Sequence, residues 1–396
     1  MIKNVNILHL VPDEKFIDAA YKNFESVAPS CNTFFVPSWD KKLKYIKNTP
    51  VKFINPFSFK SPFFMKSLEK YDLIMLHSLN TFNQRLLANT SQNLTFVWIG
   101  YGYDYYDLIY EDRNWLYQEK TRAIVNELTQ DGSSAITTHK KHALKQLARK
   151  VLYNNLDKKA LVEKINFFAP VLENEYNMVA SKFGSSFPEY VAWNYGSSAA
   201  LFNDERKSHC NPNGNNILIG NSATPTNNHI EVFDLLRTQN LGNRKIICPL
   251  SYGNSDYASV IKNRGRSYFG ENFLGLDTFM PYEEYTELIG TCSNAIMNHH
   301  RQQGAGNIVV MLFLGANVYL NRINPYYSYL KEKGAVVFTV EELSDSPELL
   351  DSRLSKDEIE QNRQILMSSS NEKVTLDKTE RLINKVLCSK PRAFTD

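Results

Sequence analysis

The chain has 396 residues, 43% of them apolar and 22% charged, with a net charge of +3. This length suggests two domains at roughly 150 residues each, the composition is that of a globular chain rather than a disordered one, and so small a net charge gives no reason to expect a nucleic-acid partner. Five scattered cysteines, with no C-x-x-C pair, speak against a disulfide framework or a zinc site and fit a reducing compartment.

The N-terminal run Val5–Val11 follows Asn4, is broken by Asn6 and lacks a small-residue cleavage site. It reads as a first buried strand rather than a signal peptide. A helix over Phe16–Phe24 and strands at Thr33–Val36, Val51–Ile54, Leu73–His77 and Leu94–Ile99 follow. Next come a helix over Asn114–Leu128 and a strand at Ser134–Thr138. This alternation of short apolar runs with periodic segments is the pattern of βαβ units. Around Ser197–Asn216 the composition turns polar, with Asn203-Asp204-Glu205-Arg206-Lys207 and Asn211-Pro212-Asn213-Gly214-Asn215, and reads as a solvated linker. A second α/β series then runs through Ile217–Ile219, Lys245–Pro249, Phe273–Leu276, Ala295–Asn298, Asn317–Leu320 and Val336–Thr339, before a last helix near Leu376–Cys388. The expected division is residues 1–200, a linker at 201–215, a second domain at 216–375 and a helical tail at 376–396. Two such halves leave a cleft, and open parallel sheets bind ligands at the carboxyl ends of their strands. No apolar stretch approaches the ~20 residues of a membrane-spanning helix.

Asn298-His299-His300-Arg301-Gln302-Gln303-Gly304-Ala305-Gly306-Asn307 precedes an apolar segment, Ile308–Leu314. A strand ending near Asn298 and a glycine-opened helix would aim free N–H groups at an anion, with Arg301 adding charge; a diphosphate is the natural ligand. The same glycines would equally serve close helix–strand packing. A second strand–turn–helix site is Gly220-Asn221-Ser222 with Asn227 and His229, where Ser222 or Asn227 could be no more than a helix cap. Neither site is G-x-G-x-x-G or a Walker loop. In the first half, Trp98-Ile99-Gly100-Tyr101-Gly102-Tyr103-Asp104-Tyr105-Tyr106 leaves a strand into a tyrosine-rich loop. Such rings suit sugar stacking, and Asp104 suits deprotonation of a hydroxyl or capping of a helix. His77, at a strand end, is a base, an acceptor contact or a structural histidine. No carboxylate pair suits a metal, and none is expected; no other cofactor is implied.

At these residues the sequence resembles glycosyltransferase family 56. The resemblance rests on Ile217-Leu218-Ile219-Gly220-Asn221-Ser222 with Asn227-x-His229, on Arg301-Gln302-Gln303-Gly304-x-Gly306, and on Leu320-Asn321-Arg322-x-Asn324-Pro325. Pro249-Leu250-x-Tyr252 and Tyr257 fit it too. It runs in order from about Asn216 to Pro325. In the first half Trp98, Gly102, Asp104, Tyr106 and His77 follow the pattern, whereas Lys140–Asn194 departs from it. The resemblance implies the GT-B architecture, two Rossmann-like α/β domains facing each other across a cleft. It implies transfer of a 4-acetamido-4,6-dideoxyhexose from a dTDP-sugar to a polyprenyl-diphosphate-linked saccharide, as in enterobacterial common antigen assembly.

On this reading Gly220, Asn221, Ser222, Asn227, His229, Tyr252, Arg301, Gln302, Gln303, Gly304, Gly306, Asn307 and Asn321 bind the donor. Asp104 is the expected base, with His77 beside it. The rivals are a non-catalytic sugar-nucleotide or glycan-binding protein of the same fold, a transferase using another donor and a protein or glycan acceptor, and an epimerase, for which no additional carboxylate pair is found. The protein is expected in the cytoplasm, peripheral on the inner face of the bacterial inner membrane. Two segments would meet anionic lipid: the aromatic stretch Phe53–Lys66, and His139–Lys164 with Lys140, Lys141, Lys145, Arg149 and Lys150.

Overall fold

The computed structural model describes residues 2–90, 94–110, 112–131, 156–196 and 214–389. They divide into two compact units. The first carries β1 (Ile7–Leu10), β2 (Asn32–Pro37), β3 (Val51–Ile54), β4 (Leu73–His77), β5 (Phe96–Ile99), β6 (Phe167–Ala169) and β7 (Glu189–Tyr190). These form one parallel sheet in the order β3-β2-β1-β4-β5-β6-β7. β1, β4 and β5 are buried at every position, which is why they read as near-continuous apolar runs, interrupted only by the buried His9 and His77, rather than alternating ones. Ile7, Leu73, Met75, Val97 and Phe167 share one core with Phe24 and Trp193.

The second unit holds β8 (Asn216–Ile219), β9 (Ile246–Pro249), β10 (Phe273–Leu276), β11 (Cys292–Met297), β12 (Asn317–Leu320) and β13 (Phe338–Thr339). They make a parallel six-stranded sheet in the order β10-β9-β8-β11-β12-β13. Counted within its own unit, each sheet begins 3-2-1-4-5-6, the doubly wound Rossmann order. Its direction reverses between the first and fourth strands, and ligands of such sheets sit outside the carboxyl ends at that reversal. The points to inspect are therefore the loops leaving β1 and β4, and those leaving β8 and β11.

Two stretches cross the expected domain boundaries. Residues 112–131 lie between β5 and β6 in the chain, yet they belong to the second unit. Their helix Glu119–Asp131 puts Ile124 into a core with Phe233, Ile219 and Tyr257. The last helix, Glu372–Cys388, belongs to the first unit, where Leu382, Ile383 and Val386 pack with Val5 and Phe24. Trp193 Nε1 donates to Thr379 Oγ1 at 2.9 Å, and Lys22 pairs with Glu372 at 2.6 Å. Among the described residues no helix is long and apolar enough to cross a membrane. The strand expected at Ser134–Thr138, most of the polar linker, and Lys140, Lys141, Lys145, Arg149 and Lys150 lie outside the described residues.

Candidate functional site

β8 ends at Ile219, and the chain turns through Gly220 at φ +65°. A Cβ there would stand 2.5 Å from Asn227 Oδ1 and 2.8 Å from His229 Nε2, so glycine is required by what lies behind it. Asn227 is fully buried and ties the turn together. Its oxygen accepts from Asn221 N at 2.8 Å, while its nitrogen donates to Ser222 O and Thr224 O at 3.0 and 2.8 Å. His299, just past β11, is also fully buried; its Nε2 lies 2.8 Å from Asn227 Oδ1 and 3.1 Å from Asn221 Oδ1. Two facing carbonyl oxygens require the proton on Nε2, so the ring is neutral with Nδ1 bare. Burial accordingly pushes its pKa well below the usual histidine value. Gln303 closes the circuit, donating to Asn221 Oδ1 at 3.0 Å and accepting from Thr226 Oγ1 at 2.6 Å.

This network brings the two glycine loops expected from the sequence to one place, at the reversal between β8 and β11. Ser222, Asn227, His229, Gln302, Gln303 and Asn321 are buried; Ser222 and Asn227 are bonded to Thr224 within their loop, and Gln303 joins Asn221 and Thr226 from the other. These bonds give Ser222, Asn227 and Gln303 a part in shaping the loops. His229 packs by Tyr257, 3.2 Å from its hydroxyl, and burial lowers its pKa to about 3. Asn321 Nδ2 donates to Asn298 Oδ1 at 2.8 Å. Both line a cavity of about 210 Å³ with Gln118, Glu231 and Glu341. Gly220→Ala should therefore combine about 1–3 kcal/mol of backbone strain with about 1–3 kcal/mol of overpacking. An unchanged denaturation midpoint would show that the buried amides are not what the glycine serves.

What remains open to solvent is the mouth. The helix Ala305–Leu314 starts at Gly304 in the left-handed region and has no side-chain cap. Its first N–H groups therefore lack intrahelical partners, and a helix dipole adds positive potential there. Gly306 is exposed, with nothing within 4 Å of where a Cβ would sit. Arg301 is half-buried at the same turn, with Nη1 donating to Gln302 O at 3.1 Å. Asn307 is held by Tyr285 OH at 2.8 Å. Tyr252, 68% exposed, stands on the loop after β9, and its backbone oxygen accepts from Ala223 N at 2.6 Å. Backbone donors, a guanidinium and open space together make an anion site.

The sequence reading missed a strap across this strand end. Asn228 Nδ2 donates to Asn298 O at 2.9 Å, and its oxygen accepts from Gln118 N at the same distance. Gln118 and Asn298 exchange side-chain bonds at 3.1 and 3.3 Å, and His300 Nδ1 lies 2.7 Å from Trp115 O. All of these partners lie within the second unit. The signal was an ordinary amphipathic helix, which says that a face is buried but not against which sheet.

In the first unit the two expected catalytic groups are internal. Asp104 is 3% exposed, and its Oδ2 accepts from Leu79 N and Trp98 Nε1 at 2.7 and 2.8 Å while Oδ1 accepts from Tyr101 N at 2.7 Å. This carboxylate clasps the loops after β4 and β5, with three of its roughly four acceptor positions taken by those donors. His77 is fully buried between His9 Nδ1 (3.0 Å) and Tyr195 OH (2.6 Å), and burial, with His9 adding to it, holds it neutral. Asp13 and Asp18 are likewise consumed, by backbone N–H groups of residues 44–46 and 47–49. Of the four, Glu14 is the carboxylate not tied into such a set. It is half-buried after β1, touches the backbone of Lys15, and burial raises its pKa.

Residues 196–375 match the family model described as 4-alpha-L-fucosyltransferase glycosyl transferase group 56. The whole chain is similar in fold to solved structures at low identity. HepE from Anabaena, in complex with UDP and glucose, aligns at 13% identity and TM-score 0.60 over 97% of this chain and 99% of its own. Sucrose-phosphate synthase from Thermosynechococcus elongatus aligns at 9% identity and TM-score 0.62, over 97% and 99%. A trehalose-6-phosphate structure from E. coli bound with UDP-2-fluoro glucose aligns at 9% and 0.59, over 98% and 100%. The two Rossmann-like units thus follow the GT-B plan.

Proposed function

Since residues 196–375 match the model of glycosyltransferase group 56 and the protein is a glycosyltransferase, we propose that it moves a 4-acetamido-4,6-dideoxyhexose from a dTDP-sugar to a polyprenyl-diphosphate-linked saccharide. The observation that carries this is the uncapped helix start at Gly304–Gly306 beside Arg301, at the strand reversal of the second unit. As the bond from the anomeric carbon to the β-phosphate breaks, negative charge collects on the departing dTDP. Donors already aimed at that charge lower the barrier without reorganising. The acceptor is assigned to the first unit, and Glu14, not Asp104, takes the proton of its hydroxyl. Phosphate neutralisation is assigned to Arg301 and backbone amides, without a cation. The protein works as a peripheral enzyme on the cytoplasmic face of the inner membrane.

The test is product mass spectrometry after incubation with a panel of dTDP-, UDP- and GDP-sugars, beside a titration of dTDP. The dTDP-deoxyamino sugars should be turned over and turnover should survive EDTA. Preference for a UDP- or GDP-sugar would overturn the donor assignment. Loss of activity in chelator, restored by magnesium or manganese, would overturn the cation-free one. Tight dTDP binding without transfer to any acceptor would leave a binding protein.

A further inference from the structure

The loops leaving β2 and β3, neighbouring strands at one edge of the first sheet, carry an aromatic and basic surface. Trp39 is 65% exposed and Phe63 89%. Large aromatic side chains standing in water are costly unless something covers them. Trp39 is not a loose end: its ring packs on Phe57 at 5.4 Å, Phe57 on Phe59 at 6.0 Å, and Phe59 is buried against Phe82 at 6.0 Å. The exposed ring is thus anchored through a ladder of rings to the body of the unit. Phe63 sits in the first turn of the helix Pro62–Ser67, whose Met65 is buried and whose N-cap Ser61 is bonded to Phe64 N.

On the same loops and the short helix, Lys41, Lys42, Lys44, Lys47, Lys60 and Lys66 are all exposed. Lys60 lies over the Phe57 ring at 5.5 Å. Asp13 and Asp18 accept from the backbone of the 44–49 loop and Asp40 accepts from Ser38, and all three stay ionised. The six lysines still outnumber these three carboxylates and Glu69 beyond the helix, so the charge around the rings is net positive. Rings that prefer an interface, ringed by lysines that prefer anionic headgroups, complement one kind of partner.

We infer that the surface formed by Trp39, Phe57, Phe63 and the lysines around them docks the first unit on an anionic lipid bilayer. The inference deepens the reading above, in which the acceptor is carried on a lipid, by saying which face meets the membrane. Of the two segments expected to meet lipid, it develops Phe53–Lys66 and adds Trp39 with its neighbouring lysines.

The experiment is co-sedimentation of the full chain with vesicles of phosphatidylcholine alone or with 30% phosphatidylglycerol. Two variants accompany the parent, Trp39→Ala with Phe63→Ala, and Lys41, Lys42, Lys60 and Lys66 all changed to Glu. The parent should bind the anionic vesicles and release in high salt. The charge variant should bind at least about 100-fold more weakly, and the aromatic variant about tenfold more weakly. Both should keep the parent's dTDP affinity and its turnover of a water-soluble acceptor, since no substituted residue belongs to the donor site. Failure of the parent to bind anionic vesicles, or equal binding by both variants, overturns the assignment. Equal binding of the parent to DNA, unaffected by the aromatic changes, would replace a lipid surface with a general polyanion. A wrong donor assignment would show separately, in the sugar panel, with vesicle binding intact.

Discussion

Replacing Arg301 by alanine is expected to lower kcat/KM for the donor by about 10²–10³-fold, the usual cost of removing one donor to transition-state charge. The loss should fall on turnover as well as on dTDP affinity, because charge on the leaving β-phosphate grows as the sugar departs. Stability should change little, by less than about 1 kcal/mol. The guanidinium is half-buried at a loop, outside the second unit's apolar core. Arg301→Lys separates charge from geometry. It keeps the positive charge but loses the planar fork, so an intermediate loss is expected. Steady-state kinetics read beside thermal unfolding decide the matter. A well-folded Arg301→Ala protein with parental kcat/KM would take Arg301 out of the site.

The strands were legible because most are buried on both faces, so composition alone marks them. Leu73–His77 and Asn317–Leu320 lie where the apolar runs put them; so do the edge strands Val51–Ile54 and Phe273–Leu276, which are mostly only partly buried. β6 and β7, at three and two residues, were too short to stand out between Asn166 and Pro170 or beside Pro188. The path of residues 112–131 into the second unit was not legible. Periodicity says that Ile124 faces apolar neighbours, not that these come from Phe233 and Tyr257. The glycine loops were found, but the bonding of their polar neighbours was not. Asn227 and Gln303 look like ligand contacts in a sequence because polar side chains are usually exposed. In the fold their hydrogen bonds are satisfied within the loops, out of water, leaving backbone amides and Arg301 to face outward.

Asp104 is buried and bonded in the same way, and its substitution should separate structure from chemistry. Asp104→Ala leaves Leu79 N, Tyr101 N and the Trp98 indole without their acceptor in a buried site. At about 1–3 kcal/mol for each buried group left unsatisfied, partly relieved by water, the expected loss is about 3 kcal/mol or more. Asp104→Asn should be milder. One amide oxygen can still serve two donors, and the desolvation cost of the charge disappears. That cost is real: burial raises the Asp104 pKa despite the bonds that oppose it. A carboxyl whose native pKa is raised stabilises the fold below its ordinary titration range and loses that contribution as pH rises through the raised value. The parent should therefore lose stability relative to Asp104→Asn over that interval. Once folded, Asp104→Asn should turn over donor within a few-fold of the parent. Glu14→Gln should do the reverse, lowering kcat by about 10²–10⁴-fold, as loss of a general base does, with an unchanged unfolding midpoint and unchanged dTDP affinity. Denaturant unfolding and single-turnover transfer, measured on both variants, give four numbers. A collapse of turnover in stable Asp104→Asn, with Glu14→Gln near normal, would return the base to Asp104 and require its clasp to open when acceptor binds.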